Sequence, residues 1–190
     1  MSGMFILIIG PSGSGKGALM SALRQERPDI VFPISCTTRA PREGEVEGQM
    51  YYFISREQFK QKIKEEAFLE WAEYGGNLYG TLRSEIMPAL EAGKTVVREV
   101  EVQGARQIET SIPRERLRVI YIDAGSWEEL EARIVNRAAI HTEELAKRKE
   151  RFEDEITFKA HAFRVVRNFD GELEQAKVDF VQAVHDAERS

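Results

Sequence analysis

Met4-Phe5-Ile6-Leu7-Ile8-Ile9-Gly10-Pro11-Ser12-Gly13-Ser14-Gly15-Lys16-Gly17-Ala18 decides the fold. Six apolar residues in a row read as a strand buried on both faces of a sheet. GxxxxGK follows, and then Ala18, Leu19, Met20, Ala22 and Leu23, which suit a helix. Strand, glycine-rich turn and helix together make a phosphate-binding loop. Its glycines let successive N–H groups point into one concavity, and the helix start adds attraction for anions. Lys16 brings a mobile positive charge to the phosphates. The hydroxyl that normally follows the lysine and meets Mg²⁺ is absent, because Gly17 and Ala18 stand there. A magnesium ion is then expected to be held through water and a nearby carboxylate.

Composition narrows the field around that loop. A chain of 190 residues fits one domain with a real core. Its 27 basic and 32 acidic residues give a net charge of -5, which argues against a nucleic-acid partner. The single cysteine, Cys36, excludes an internal disulfide and suits a reducing, cytoplasmic setting. The apolar N-terminus lacks a basic leader and runs into the loop, so it reads as a core strand and not a signal peptide. No apolar run approaches the roughly 18 residues of a membrane span. The state expected is a monomer or a weak homo-oligomer.

Outward from the loop, the first helix is expected from Lys16 to Arg24, ending before Pro28. Ile30, Val31, Phe32, Ile34 and Ser35 suggest a short strand, demoted to an edge or a bend by Pro33. Ser35-Cys36-Thr37-Thr38-Arg39-Ala40-Pro41-Arg42-Glu43-Gly44-Glu45 is polar and turn-like. It sets Arg39 and Arg42 three apart, and guanidinium groups bind phosphate oxygens in pairs. This is a candidate second anion site, as a kinase also needs to hold its acceptor. Ser55 with Gln58, and Ser126 with Glu129, read as capping boxes. Phe59, Ile63 and Phe68 predict one face of a helical stretch, which Leu69, Trp71 and Ala72 continue around Glu70. Gly75 to Thr81 reads as a turn, and Leu82, Ile86, Met87 and Leu90 as a helix stopping at Gly93. Lys94 to Val102 predicts a core strand whose Arg98, Glu99 and Glu101 suggest a ligand crevice at its end. Leu117 to Ile122 predicts another core strand, and Phe163, Val165 and Val166 a last short one. Leu173, Ala176, Val178, Phe180, Val181 and Val184 are assigned to the inner face of the final helix. Alternating strands and helices mean an α/β three-layer fold with a mostly parallel central sheet.

Further runs complete the pattern: Gly48 with Tyr51, Phe68-Leu69-Glu70-Trp71-Ala72, Asn77-Leu78-Tyr79-Gly80-Thr81, Val102-Gln103-Gly104-Ala105 and Asn168. With the loop and the TTRxPRxGE run, the chain resembles the guanylate kinases over nearly its whole length. That resemblance implies transfer of a phosphoryl group from ATP to GMP, with Mg²⁺, giving ADP and GDP. It implies a core at 1–34, 83–125 and 156–190, an inserted GMP-binding region at 35–82 and a helical lid at 126–155. By position, Gly10, Pro11, Ser12, Gly13, Ser14, Gly15, Lys16, Gly17 and Ala18 would cradle the donor phosphates. Arg39, Arg42, Tyr51 and Tyr79 would hold the GMP phosphate, while Ser35, Glu70 and Thr81 would face the guanine. Arg133, Arg137 and Arg148 would be the lid arginines. Glu99 and Glu101 stand where the family has aspartates, and are assigned to a water-mediated magnesium contact and to the acceptor side respectively. Further departures are Met50 in place of an aspartate, and Ala138-Ala139 in place of a glycine-bearing turn. The alternatives are a kinase for another small acceptor, and a weakly active or inactive binding module of the same family.

Overall fold

The computed structural model describes residues 3–49, 51–137 (Arg137 by its backbone alone) and 141–190. Met50, Ala138-Ala139 and the Arg137 side chain, singled out above, lie outside the described residues. The elements run β1 (Phe5–Ile9), α1 (Lys16–Glu26), β2 (Ser35–Thr37), β3 (Tyr51–Phe53), α2 (Arg56–Lys64), β4 (Phe68–Tyr74), β5 (Asn77–Leu82), α3 (Arg83–Glu91) and β6 (Val96–Glu99). Then follow α4 (Val102–Ser111), β7 (Leu117–Asp123), α5 (Trp127–Arg137), α6 (Thr142–Thr157), β8 (Arg164–Arg167) and α7 (Leu173–Glu188).

The strands form two sheets, ordered β6-β1-β7-β8 and β3-β2-β5-β4. In the first, every residue of β1 is buried, as its unbroken apolar run requires. Its β7 and β8 run parallel. The second is mixed: β2 pairs parallel with β3 and antiparallel with β5, which pairs antiparallel with β4. The chain therefore has an α/β fold with one sheet that leads into the loop at 10–16 and a second, mixed sheet.

The chain divides into two compact units. One comprises Met1–Phe5, Val31–Arg98 and Gln103–Leu117; the other Ile6–Ile30, Glu99–Val102 and Arg118–Ser190. In the first, Cys36, Phe59, Phe68 and Leu78 form a core, with the Phe59 and Phe68 rings stacked 4.3 Å apart. Burial raises the Cys36 thiol to a pKa of about 11, so it stays protonated at neutral pH. In the second, α1 packs on α7, and Trp127, Leu130, Ile134 and Phe152 make a separate cluster between α5 and α6.

Four expectations are corrected. The helix at Phe59 and Ile63 ends at Lys64, and Phe68–Tyr74 is a strand, because Glu66 turns the chain with φ 51°. Asn77–Leu82 is also a strand, and only Gly75-Gly76 make the turn, at φ 57° and 76°. Two successive positive φ angles suit a tight hairpin, and glycine adopts them without strain. Around Pro33, only Val31 makes a bridge, to Val96, and the regular strand starts at Ser35. On α7, Ala176, Phe180, Ala183, Val184 and Ala187 face inward, while Val178 is 63% exposed.

Candidate functional site

The first candidate site is built by the turn between β1 and α1. Gly13 and Gly15 adopt φ 91° and 85°, conformations that other residues reach only with strain. No side chain caps α1, which suits a helix start reserved for an anion. Lys16 Nζ donates to the Gly10 and Pro11 carbonyls at 2.5 and 2.9 Å, folding back over the loop. It stands 3.7 Å from Glu99 Oε1, at the end of β6. Glu101 is exposed just before α4, and its charge bears on Glu155.

The loop is braced from beneath. Buried Asn168 donates from Nδ2 to the Ser14 carbonyl at 2.7 Å, and its own carbonyl accepts from Arg133 Nη1 at 2.8 Å. Arg148 Nη1 stands 3.4 Å from the Ser12 hydroxyl. The Ser14 hydroxyl is buried with no hydrogen-bond partner among the described residues. A Cβ on Gly17 would meet nothing within 4 Å, so the place where a hydroxyl side chain would project is open. Among the described residues, no group of three His, Cys, Asp or Glu could hold a metal ion.

The second candidate site lies in the mixed sheet. Ser35 pairs with Thr81 across β2 and β5, and Thr81 pairs with Glu70 across β5 and β4. The register shifts between Phe68 and Glu70; such bulges re-aim side chains. Thr81 Oγ1 donates to Glu70 Oε1 at 2.5 Å, with Thr81 fully buried and Glu70 only 7% exposed. Gly104 explains the VQGA run: a Cβ there would meet Glu70 Oε2 at 2.8 Å. Arg98 Nη2 donates to the Ser35 hydroxyl.

Beyond the end of β2, Glu45 forks the Arg39 guanidinium with two bonds of 2.9 Å and accepts the Arg42 N–H at 2.7 Å. These donors, Arg39 first, hold the Glu45 carboxyl down at a pKa of about 2. Arg39 lies over the Tyr51 and Phe53 rings at 5.4 and 5.6 Å, and Tyr79 meets Tyr51 edge-on at 6.1 Å. The Arg42 side chain is exposed. The structure thus brings Ser35, Glu70 and Thr81 together, and separately gathers Arg39, Tyr51 and Tyr79. Sequence reasoning passed over the role of Glu45 and the bracing role of Asn168, and read Arg98 only as a charge at a ligand crevice. The signals were a glutamate six residues after an arginine, a charge inside a core strand, and an asparagine just past the last strand.

A sequence profile for guanylate kinase matches residues 2–185. The chain belongs to the guanylate kinase family. A guanylate kinase of Synechocystis sp. is 42% identical over 188 residues, spanning 99% of this chain and 96% of the relative. One from Synechococcus sp. is 47% identical over 154 residues, covering 81% of this chain and 83% of the relative. The crystal structure of guanylate kinase from Anaplasma phagocytophilum superposes with a TM-score of 0.74 at 26% identity, covering 100% of this chain and 88% of that one. The chain is thus a nucleotide-binding phosphotransferase of purine metabolism, from a guanylate kinase family that uses ATP and Mg²⁺. Among the described residues, no helix is long and apolar enough to cross a membrane.

Proposed function

We propose that the chain transfers the γ-phosphoryl group of ATP to GMP, giving ADP and GDP. The observation that carries this reading is the buried Glu70 carboxylate, fixed by Thr81 in register with Ser35. A carboxylate accepts from the N1–H and 2-amino groups of guanine, and adenine offers no such donor pair. Residues 35–82 are the acceptor region on this reading, and 126–155 the lid. Arg39, Arg42, Tyr51 and Tyr79 hold the GMP phosphate, and Glu45 sets the pose of Arg39. The loop from Gly10 to Ala18, with Lys16, holds the donor phosphates. An oxygen of the GMP phosphate attacks the γ-phosphorus and ADP leaves, with no covalent enzyme intermediate. The protein's contribution is positioning and charge. Arg133, Arg137 and Arg148 offset the charge that spreads over the transferred group.

Magnesium fits these residues as a hydrated ion held with the donor phosphates. Exposed Glu99 beside Lys16 and the open space at Gly17 support contact through water. When bound, the ion neutralises and orients the phosphates. Glu101 is assigned to the acceptor side. The test is a coupled assay of ADP formation with ATP and Mg²⁺ against GMP, dGMP, AMP, CMP and UMP. Preference for GMP is expected. Turnover of another acceptor alone, or GMP binding without turnover, overturns the reading.

A further inference from the structure

We propose that Arg98 is a positioning residue that biases the Ser35 hydroxyl toward donating, so that the base site favours a 6-oxopurine. The inference rests on reading residues 35–82 as the GMP site. A guanidinium has five N–H donors and no acceptor, so the direction of its bond to Ser35 is fixed by chemistry. The Ser35 oxygen receives from Arg98. With that bond made, the proton of fully buried Ser35 points away from Arg98 and is the part of the hydroxyl that can donate. Thr81, paired with Ser35 across the sheet, is polarised the other way, because its proton goes to Glu70. Three adjacent strands therefore carry a donor at Ser35, lone pairs at Thr81 and a carboxylate at Glu70.

That sequence of polarities complements one purine edge. Guanine presents a 6-oxo acceptor beside its N1–H and 2-amino donors. Adenine presents a 6-amino donor beside an N1 acceptor, and meets like with like at both positions. Without Arg98 the Ser35 hydroxyl could rotate to accept from a 6-amino group as readily as donate to a 6-oxo group. Arg98 fills one of the two lone pairs and turns the proton away from itself, which biases the hydroxyl toward donating. Its placement has a cost that a leucine would avoid: it sits on β6 beside fully buried Val96 and Val97, and its Nε is buried with no hydrogen-bond partner among the described residues. A guanidinium kept under those conditions points to a role in the site.

The test uses the full chain and four 5′-monophosphates: GMP, IMP, AMP and that of 2-aminopurine riboside, which keeps the 2-amino group and lacks the 6-oxo group. Equilibrium binding and steady-state kinetics are measured for wild type, Arg98→Leu, Arg98→Lys, Ser35→Ala and the Arg98→Leu/Ser35→Ala pair. Arg98→Leu is expected to weaken GMP and IMP about tenfold while leaving the 2-aminopurine nucleotide and the KM for ATP unchanged. Arg98→Lys, which keeps a cationic donor, is expected to retain the selectivity. In the Ser35→Ala background, Arg98→Leu is expected to have no further effect. Equal weakening of all four nucleotides, or an undiminished tenfold loss without Ser35, makes Arg98 merely structural and overturns the proposal. If wild type phosphorylates GMP but Arg98→Leu keeps the ratio of GMP to 2-aminopurine nucleotide, this inference alone falls. If wild type neither binds nor phosphorylates GMP in preference to AMP, the guanylate reading falls and takes this one with it.

Discussion

Gly17 has ordinary helical backbone and open space around the position of a Cβ. A serine there meets no steric barrier and restores one oxygen beside the donor phosphates. Gly17→Ser is expected to lower the Mg²⁺ concentration giving half-maximal rate and, by replacing a helical glycine, to add about 0.5 kcal/mol of stability. A magnesium titration and a thermal melt check both. Glu99→Gln should move the magnesium requirement the opposite way; an unchanged requirement in an active variant makes Glu99 a simple ion-pair partner of Lys16. Half-buried Glu155 supplies a pH dependence. Burial raises its pKa to about 7, aided by Glu101 and Asp154 and opposed by Lys16 and Arg151. A carboxyl whose folded pKa exceeds its unfolded value binds protons more tightly in the folded state. Its favourable contribution is therefore present at low pH and lost as pH rises from the ordinary carboxyl range through 7. Glu155→Gln is expected to raise the melting temperature relative to wild type at pH 8, with the difference vanishing near pH 4.

At the scale of elements, α6 carries its apolar contact at Phe152, whose ring lies 5.7 Å from that of Trp127 on α5. Phe152→Ala leaves a cavity in a small cluster and should cost about 3 kcal/mol locally. Hydrogen exchange is expected to show faster opening across Trp127–Arg137 and Thr142–Thr157, with β1 unaffected. The elements also show why the sequence was legible in places. β1, the loop and α1 are local: an unbroken apolar run, glycines at fixed offsets and an apolar helical stripe all agree. Both capping boxes form as their spacing requires. The β4–β5 hairpin was misread because Phe59, Ile63 and Phe68 also fit a helical face, and the break at Glu66 is a left-handed turn by a residue that rarely makes one. Gly75-Gly76 was the overlooked hairpin signal. In the site, residue types were readable, but partners were not. Arg39 with Glu45 joins two parts of one loop, and Arg98 with Ser35 spans 63 positions, so only the folded chain brings them together.

Across the whole molecule, the two assignments fall in different compact units. Lys16 belongs to the unit with the phosphate loop, and Arg39 to the unit with the mixed sheet. If each unit holds its own substrate, damage to one should leave ground-state binding by the other intact. Arg39→Ala removes the fork that Glu45 holds and is expected to raise the KM for GMP by ten- to a hundredfold, since charge-assisted bonds are worth about 1.5–3 kcal/mol. The KM for ATP should move little. Lys16→Met is expected to lower kcat/KM by orders of magnitude, because it removes charge that acts on the transferring phosphates. It should leave the Kd for GMP alone near its wild-type value, with an unchanged circular dichroism spectrum. The substitution keeps the length of an amphipathic stem and takes away a cation bonded to loop carbonyls and to half-exposed Glu99. The contrast between the variants is the measurement that matters. Equal effects of Arg39→Ala on both substrates would place that arginine outside the acceptor site. Near-normal turnover in folded Lys16→Met would remove the loop lysine from the reaction.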